Sequence, residues 1–419
     1  VSGSDLVIAD DGTITVPSHA VGGTDPRRVV LMPPVSIAPH HPWHSRLDPH
    51  YDPQVADTWC QWMYKSTFES TWVTGPAGPV SQRIAVPNFE PLPPGWLDRN
   101  GRAVAALGFL GQHHHALTSQ LAAHGGWDRS QAGRILTPLW KAGLIEYTQL
   151  NPKSGPRLAH ERLWRLRTDG NELAATIRDL ADRTWAYMTC GFDITKPGAG
   201  RSHHNHNLHA TELALRCYEA HPTIATVWGE PCGDPWLLAP EWLPSRPAGP
   251  ARWRADAVLV RTDGLRIAIE LTRDVSGGSL AGKAQRWANL LAGGTPQDTG
   301  LLVMFVNIAT AETHKATGTA IRNVIEQATD PNQVGGATAS KNARAGILAA
   351  SWREWFPHPW HISDAFFRLD AAYCRVGASQ WGYVAAADAT QLVFNPTRPG
   401  FDDTHIAANY SAATPRWDR

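Results

Sequence analysis

The chain has 419 residues, 42% of them hydrophobic, and carries 38 acidic and 38 basic side chains. That length allows two or three domains around a sizeable core. A formal charge of zero excludes nucleic-acid binding through a global positive field, so any such binding needs a local patch. No apolar run reaches the roughly 18–20 residues of a membrane span, and no charged-then-apolar leader opens the sequence. Cys60, Cys190, Cys217, Cys232 and Cys374 stand singly. A soluble, cytoplasmic protein is expected, with no membrane partner, no disulfide framework and no zinc ribbon.

Residues 1–100 hold 14 of the 32 prolines. Stretches such as Met32-Pro-Pro-Val35 and Pro91-Leu-Pro-Pro94 sustain neither helices nor central strands. The region reads as an extended arm anchored by Trp43, Trp59, Trp62 and Trp72, with a helix only over Val55–Phe68.

Residues 101–182 read as a winged helix-turn-helix. Helices are expected over Ala103–Leu110 and Ala116–Ala123, with a turn at Gly125-Gly126. Asp128 followed by Gln131 is a capping-box arrangement. It opens a helix over Arg129–Ala142 that buries Ala132, Ile135, Leu136, Leu139 and Trp140 at i, i+3, i+4 spacing, with Pro138 as a departure. A strand from Gly143-Leu-Ile145, a turn at Asn151–Pro156, a returning strand Arg162–Leu166 and a helix from Gly170 to Ala181 complete the unit. Between Arg129 and Arg167 eight basic residues face only Glu146 and Glu161. Arg129, Arg134, Lys141, Lys153, Arg157 and Arg162 are the candidates for phosphate contacts with double-stranded DNA. The alternative is a winged helix used for protein contacts. His113-His-His115 reads as a polar loop or helix start, because three consecutive side chains do not converge on one metal.

Residues 183–335 begin with a linker ending at Gly200. His203, His204, His206 and His209 follow, either a helix entry or a transition-metal cluster. The helix His206–Ala220 puts His209 and Glu212 on one face, within possible reach of the acids described next. After a strand Ile224–Trp228 and a Pro/Trp-rich insertion come two strands, Asp256–Arg261 and Leu265–Thr272. They are joined by Thr262-Asp-Gly264, a strong hairpin signal. Asp256 and Glu270 each stand seven residues from Asp263, so an antiparallel pairing centred there opposes them on one face. Opposed carboxylates repel and call for a cation or a proton. The readings are a bound divalent metal or two solvated acids at a strand end. A helix Ser279–Leu291 with Lys283, an unbroken apolar strand Gly300–Asn307 and a helix Gly318–Ala328 follow. Such a run marks a strand buried on both faces of a mixed sheet. Residues 336–419 read as a Trp-rich extension whose aromatics pack in a core or stack on single-stranded bases.

The α-β-β-β-α-β order, with Ala255-Asp256 on one strand and Glu270-Leu-Thr272 on the next, resembles the PD-(D/E)xK restriction-endonuclease-like core. Preceded by the winged helix, it is similar to the replication-relaxation family of actinobacterial plasmids and mobile elements, over residues 101–330. The fold class expected is therefore α/β (α+β): a winged helix-turn-helix followed by an endonuclease-like mixed sheet flanked by helices. The resemblance implies a DNA-binding protein of replication or transfer, with replication or transfer proteins as further partners. It also implies an endonuclease in which Asp256 and Glu270 hold Mg²⁺. Thr272 stands where the family has its lysine. Lys283 is the substitute, and His209, Glu212, Thr272 and Asp274 are candidate neighbours. The alternatives are an inactive DNA-binding accessory or regulator, or a protein-interaction scaffold.

Overall fold

A computed structural model of the chain describes residues 46–51, 91–149, 161–167, 204–275, 279–375 and 381–389 (apart from 126, 241, 250 and 360). It also describes residues 392 and 394 and five short strands before residue 83. The protein is mixed α/β and divides into two units. One is Ser45–Leu215 with Asp403–Pro415; the other comprises Val1–His44, Arg216–Asp402 and Arg416–Arg419. Among the described residues no helix is long and apolar enough to cross a membrane. The expected helices at Val55–Phe68 and Gly170–Ala181, the turn at Asn151–Pro156, His203 and the tail from 395 lie outside the described residues.

In the first unit α1 (Gly101–His113), β1 (Ala116–Leu117), α2 (Thr118–Gly125), α3 (Arg129–Lys141), β2 (Ile145–Gln149) and β3 (Arg162–Leu166) follow in order. The start of α3 is set by the capping box. Asp128 accepts from the Gln131 amide at 2.7 Å, and the Gln131 side chain accepts from the Asp128 amide at 3.3 Å. Ala132, Ile135, Leu136 and Leu139 are buried, the apolar stripe of an amphipathic helix. Pro138 sits in the last turn, where its carbonyl still accepts from the Ala142 amide at 2.9 Å. Gly143, at φ +73°, ends the helix in the left-handed region. The strands form a three-stranded antiparallel sheet in the order β1-β3-β2.

Two features of this unit depart from expectation. Ala116 and Leu117 do not begin a helix; they pair with Trp164 and Leu163, because His114 at φ +60° turns the chain out of α1. His113 and His115 are buried rather than part of a polar loop. The rings of His113 and His124 lie 4.5 and 4.3 Å from that of Phe109. Burial pulls both imidazoles down to about 3, so they pack as neutral rings.

The chain passes from the first unit to the second within α4 (His204–Ala220). The second unit continues with β4 (Ile224–Gly229), β5 (Ala257–Arg261), β6 (Arg266–Thr272), α5 (Ser279–Leu291), β7 (Leu301–Asn307), α6 (His314–Ala328), α7 (Ala337–Gly346), β8 (Ile347–Ser351), β9 (Asp370–Cys374) and β10 (Trp381–Ala385). The sheet order is β10-β9-β8-β7-β6-β5-β4. Neighbours are antiparallel except β6-β7 and β7-β8, which are parallel. α6 and α7 each pack against α5. β7 is the central strand and is buried at every position, the reason its sequence is unbroken apolar.

The turn between β5 and β6 sets the register. Gly264 takes φ +89°, which suits glycine. The Arg261 amide donates to the Leu265 carbonyl at 2.8 Å, and Asp263 Oδ1 accepts from the Leu265 amide at 3.3 Å. Ala257 therefore pairs with Ile269 and Leu259 with Ile267, the register expected from the sequence. The stretch after residue 336, expected as a separate extension, contributes three strands to the same sheet. Trp352 and Trp355 are buried, so packing rather than base stacking accounts for them. In the proline-rich arm, Thr71–Gly75 pairs with Gly78–Gln82, and Val35-Ser36 pairs with His361-Ile362.

Because β7 is enclosed on both faces, Phe305→Ala should leave a cavity at the sheet's centre. A loss of about 3–5 kcal/mol is expected, measured by denaturant unfolding of the full chain.

Candidate functional site

The site is built at one end of three adjacent strands. Continuing the β5–β6 register by one residue opposes Asp256 and Glu270. Continuing the β4–β5 register, in which Gly229 pairs with Ala257, brings Glu230 opposite Asp256. Three carboxylates thus stand in a row across β4, β5 and β6. Glu230 opens a 3₁₀ turn, Glu230–Gly233. A Cβ on Gly233 would stand 2.5 Å from the Ala255 carbonyl oxygen, so only glycine lets this turn press against the entry to β5. The Ala255 amide donates to the Gly233 carbonyl at 3.0 Å. Farther on, Asp234 fixes the insertion by accepting from the Trp236 and Ala251 amides.

Glu270 is 1% exposed and both of its oxygens are engaged. Lys283 Nζ donates to Oε2 at 2.6 Å, and the Trp287 indole N–H donates to Oε1 at 2.7 Å. Lys283 and Trp287 lie one helical turn apart on α5, so one helix face supplies both donors. Asp256 Oδ2 accepts from the Leu271 amide at 2.7 Å, which ties it to the neighbouring strand. Burial, then the charge of Asp256, push the Glu270 carboxyl up to about 7, against the opposing pull of Lys283 and Trp287. Burial pulls the Lys283 ammonium down, but Asp256, Glu270 and Glu230 together outweigh it and hold it above the ordinary lysine range. The Lys283 side chain remains 31% exposed while its Nζ is held by Glu270.

The other expected neighbours are placed differently. Thr272 is buried, in register with Asn307 of β7. Asp274 was expected on the Glu270 face if the strand continued; β6 stops at Thr272, and Asp274 is exposed just after the bend at Arg273. Glu212 is committed within the first unit: Arg46 Nε donates to its two oxygens at 3.1 and 3.2 Å, and Gln120 Nε2 to one at 3.1 Å. His209 is buried in the same unit, with Nδ1 2.8 Å from the Asn205 carbonyl oxygen. Its ring meets that of His50 edge-on. Among the described residues no group of three or more His, Cys, Asp or Glu side chains is arranged to hold a metal ion. The row of carboxylates is therefore not a closed cage.

Of the basic candidates in the first unit, Lys153, Arg157 and the side chain of Arg129 lie outside the described residues. Arg134 is exposed on α3, and Lys141 is half-buried at its end. The Arg162 guanidinium lies 4.4 Å from the centre of the Tyr147 ring and 5.9 Å from that of Trp164. Both nearby acids turn inward. Glu146 is buried against Arg165, and Glu161 is buried where it accepts from the Ser119 amide at 2.8 Å.

Glu230 and the donor role of Trp287 are absent from the sequence expectations. Glu230 was legible in one respect, as the first residue beyond the strand Ile224–Trp228. Its pairing partner lies across a long insertion, which hides the register.

Comparison with known proteins returns nothing: no protein-family model, no curated protein and no solved structure matches the chain.

The surroundings of Glu270 predict a titration near neutrality, readable by NMR of carboxyl-labelled glutamate. Trp287→Phe and Lys283→Met each remove a partner of the charged form and should move the midpoint upward. Asp256→Asn removes a like charge and should move it downward. Because the ordinary value is 4.5 and the folded value about 7, this group's contribution to stability is full below about pH 4.5 and is lost as pH rises toward 7.

Proposed function

We propose that the chain is a DNA-processing protein in which one unit binds duplex DNA and the other is a metal-dependent endonuclease. The observation that carries the nuclease reading is Lys283 Nζ at 2.6 Å from Glu270, across from Asp256. In this reading Lys283 takes the role that the PD-(D/E)xK pattern gives to a lysine at the position of Thr272, reaching the carboxylate pair from α5 instead. The first unit supports DNA binding as a winged helix: α3 with exposed Arg134 would enter the major groove, and the β2–β3 hairpin would be the wing. With Glu146 and Glu161 turned inward, phosphates meet few opposing acids there.

The donor set fits a hard divalent cation. Asp256 and Glu270 supply opposed carboxylate oxygens, and burial, then the charge of Asp256, raise the Glu270 carboxyl, so a cation placed between the two would favour the ionised pair. Mg²⁺ commonly uses one or two carboxylates and completes its shell with water and substrate phosphate, so a three-residue cage is not required. Bound there, Mg²⁺ would polarise the scissile phosphate and acidify an attacking water.

The chain's own groups have separate tasks. Asp256, tied to the Leu271 amide, and Glu270, tied to the Trp287 indole, present fixed oxygens. Lys283 donates to a non-bridging oxygen of the phosphate and stabilises the charge that grows there during attack. Hydrolysis forms a bond from the water oxygen to phosphorus and breaks one phosphorus–ester oxygen bond, leaving a phosphomonoester and an alcohol. A second reading, DNA binding without cleavage, is favoured by Thr272 at the lysine position.

Supercoiled plasmid incubated with the full chain and Mg²⁺ or Mn²⁺ separates the two. Nicking is expected, abolished by chelator and by Asp256→Ala or Glu270→Ala, and reduced about 100-fold or more by Lys283→Ala. At limiting metal the rate should rise with pH, because Glu270 must give up a proton that burial and Asp256 hold above the ordinary range before it can ligate the cation. Absence of nicking, or equal nicking by the Asp256 and Glu270 variants, leaves the binding reading. In either case Arg134→Ala with Lys141→Ala should weaken duplex binding evenly across sequences and flatten its salt dependence.

A further inference from the structure

Beside the carboxylate row lies a cation with an unusual seat. Arg286 follows Lys283 by three residues, so both project from neighbouring positions on the same side of α5. Its side chain is exposed. Its guanidinium carbon lies 5.5 Å from the centre of the Trp253 ring. Trp253 in turn meets Trp287 edge-on, ring centres 4.5 Å apart and planes at 87°. Trp287 is the residue whose indole N–H holds Glu270. At Gly282 a Cβ would come 3.6 Å from Arg286 Nη1, so the guanidinium lies back along the helix toward the turn that carries Lys283. Among the described residues Arg286 makes no ion pair, although Glu230, Asp256 and Glu270 all act on Lys283 one turn away. Arg252, next to Trp253, is exposed as well.

An arginine within cation–π distance of an indole has fewer rotamers open to it before any ligand arrives, and an exposed one keeps N–H donors for solvent or a ligand. Such a fork matches two oxygens of one phosphate. An arginine serving only to cover Trp253 would need neither the fork nor a site beside the carboxylates.

We infer that Arg286, seated on Trp253, is a backbone clamp that grips a DNA phosphate next to the one presented to Lys283. The inference rests on the proposed nuclease reading for the position of that second phosphate. Trp253 is a positioning residue: it holds Arg286 in place and does not itself contact DNA.

The test uses the full chain in a Glu270→Gln background without divalent metal, so that binding is read without cleavage. The probe is a fluorescein-labelled mixed-sequence duplex, and anisotropy is followed over a series of salt concentrations. Loss of one phosphate contact lowers the slope of log affinity against log salt by about 0.9, whatever other surface of the chain also binds. Arg286→Ala should show that drop. Arg286→Lys should keep the slope and lose part of the affinity, since an ammonium lacks the fork. Trp253→Ala should weaken binding, and combining it with Arg286→Ala should add nothing further. Lys341→Ala, an exposed change on α7, should leave the slope unchanged.

An unchanged slope in Arg286→Ala overturns the clamp, as does full additivity of the Trp253 and Arg286 changes. Because Arg286 is exposed, its variant is not expected to unfold, and a thermal melt checks this. Nicking by the parent with an unaltered Arg286→Ala slope sinks the clamp and spares the nuclease reading. No nicking with a lowered slope sinks the nuclease reading and leaves Arg286 as a DNA contact. No duplex binding at low salt sinks the clamp, and leaves the nuclease reading to the nicking result.

Discussion

Burial of Glu270 beside Asp256 is the constraint on which the second unit turns. A carboxylate so deeply enclosed is costly unless it is paired and hydrogen-bonded. The structure answers with two donors from one helix face, Lys283 and Trp287. That requirement fixes the rotation of α5 against the sheet: a quarter turn would put neither donor on Glu270. It also explains why the glycine at 233 is needed, since the turn bearing Glu230 must approach Ala255 closely to complete the row. The two donors do not finish the task. Burial and the neighbouring Asp256 charge still hold the Glu270 carboxyl above its ordinary range.

The first unit solves the matching problem with the opposite sign. Three of its buried acids are paired internally: Glu146 on Arg165, Glu161 on the Ser119 amide, and Glu212 on Arg46 and Gln120. Each of these buried acids has a donor, and Arg134 is left on the surface of α3. Glu146 and Glu161, both counted in the charge of this stretch, are therefore not presented at its surface.

The β5–β6 hairpin was legible in the sequence because its information is local. Asp263-Gly264 fixes the turn, the turn fixes the register, and the register opposes Asp256 and Glu270. The capping box at Asp128 and the apolar run of β7 were legible for the same reason: each depends on residues a few positions apart. What escaped depends on distant partners. Glu212 suggested a link to the carboxylate pair, but its partner Arg46 lies 166 residues away. Glu230 sits beyond an insertion that breaks the visible register. His113 and His115 looked polar, yet their burial follows from the turn at His114 and from Phe109. The strands after residue 346 pair with β7 and with one another through contacts that no short window reveals.

All the groups at the carboxylate row lie between Glu230 and Trp287, whereas β7 finds β8 only by joining Val303 to Ile347 across three intervening helices. Burial and the neighbouring Asp256 charge hold the Glu270 carboxyl above its ordinary range in the folded chain, and burial does the same to Asp370. Folding therefore takes up protons at these groups wherever the pH lies between their unfolded and folded values, and the stability of this unit falls as pH rises through that window.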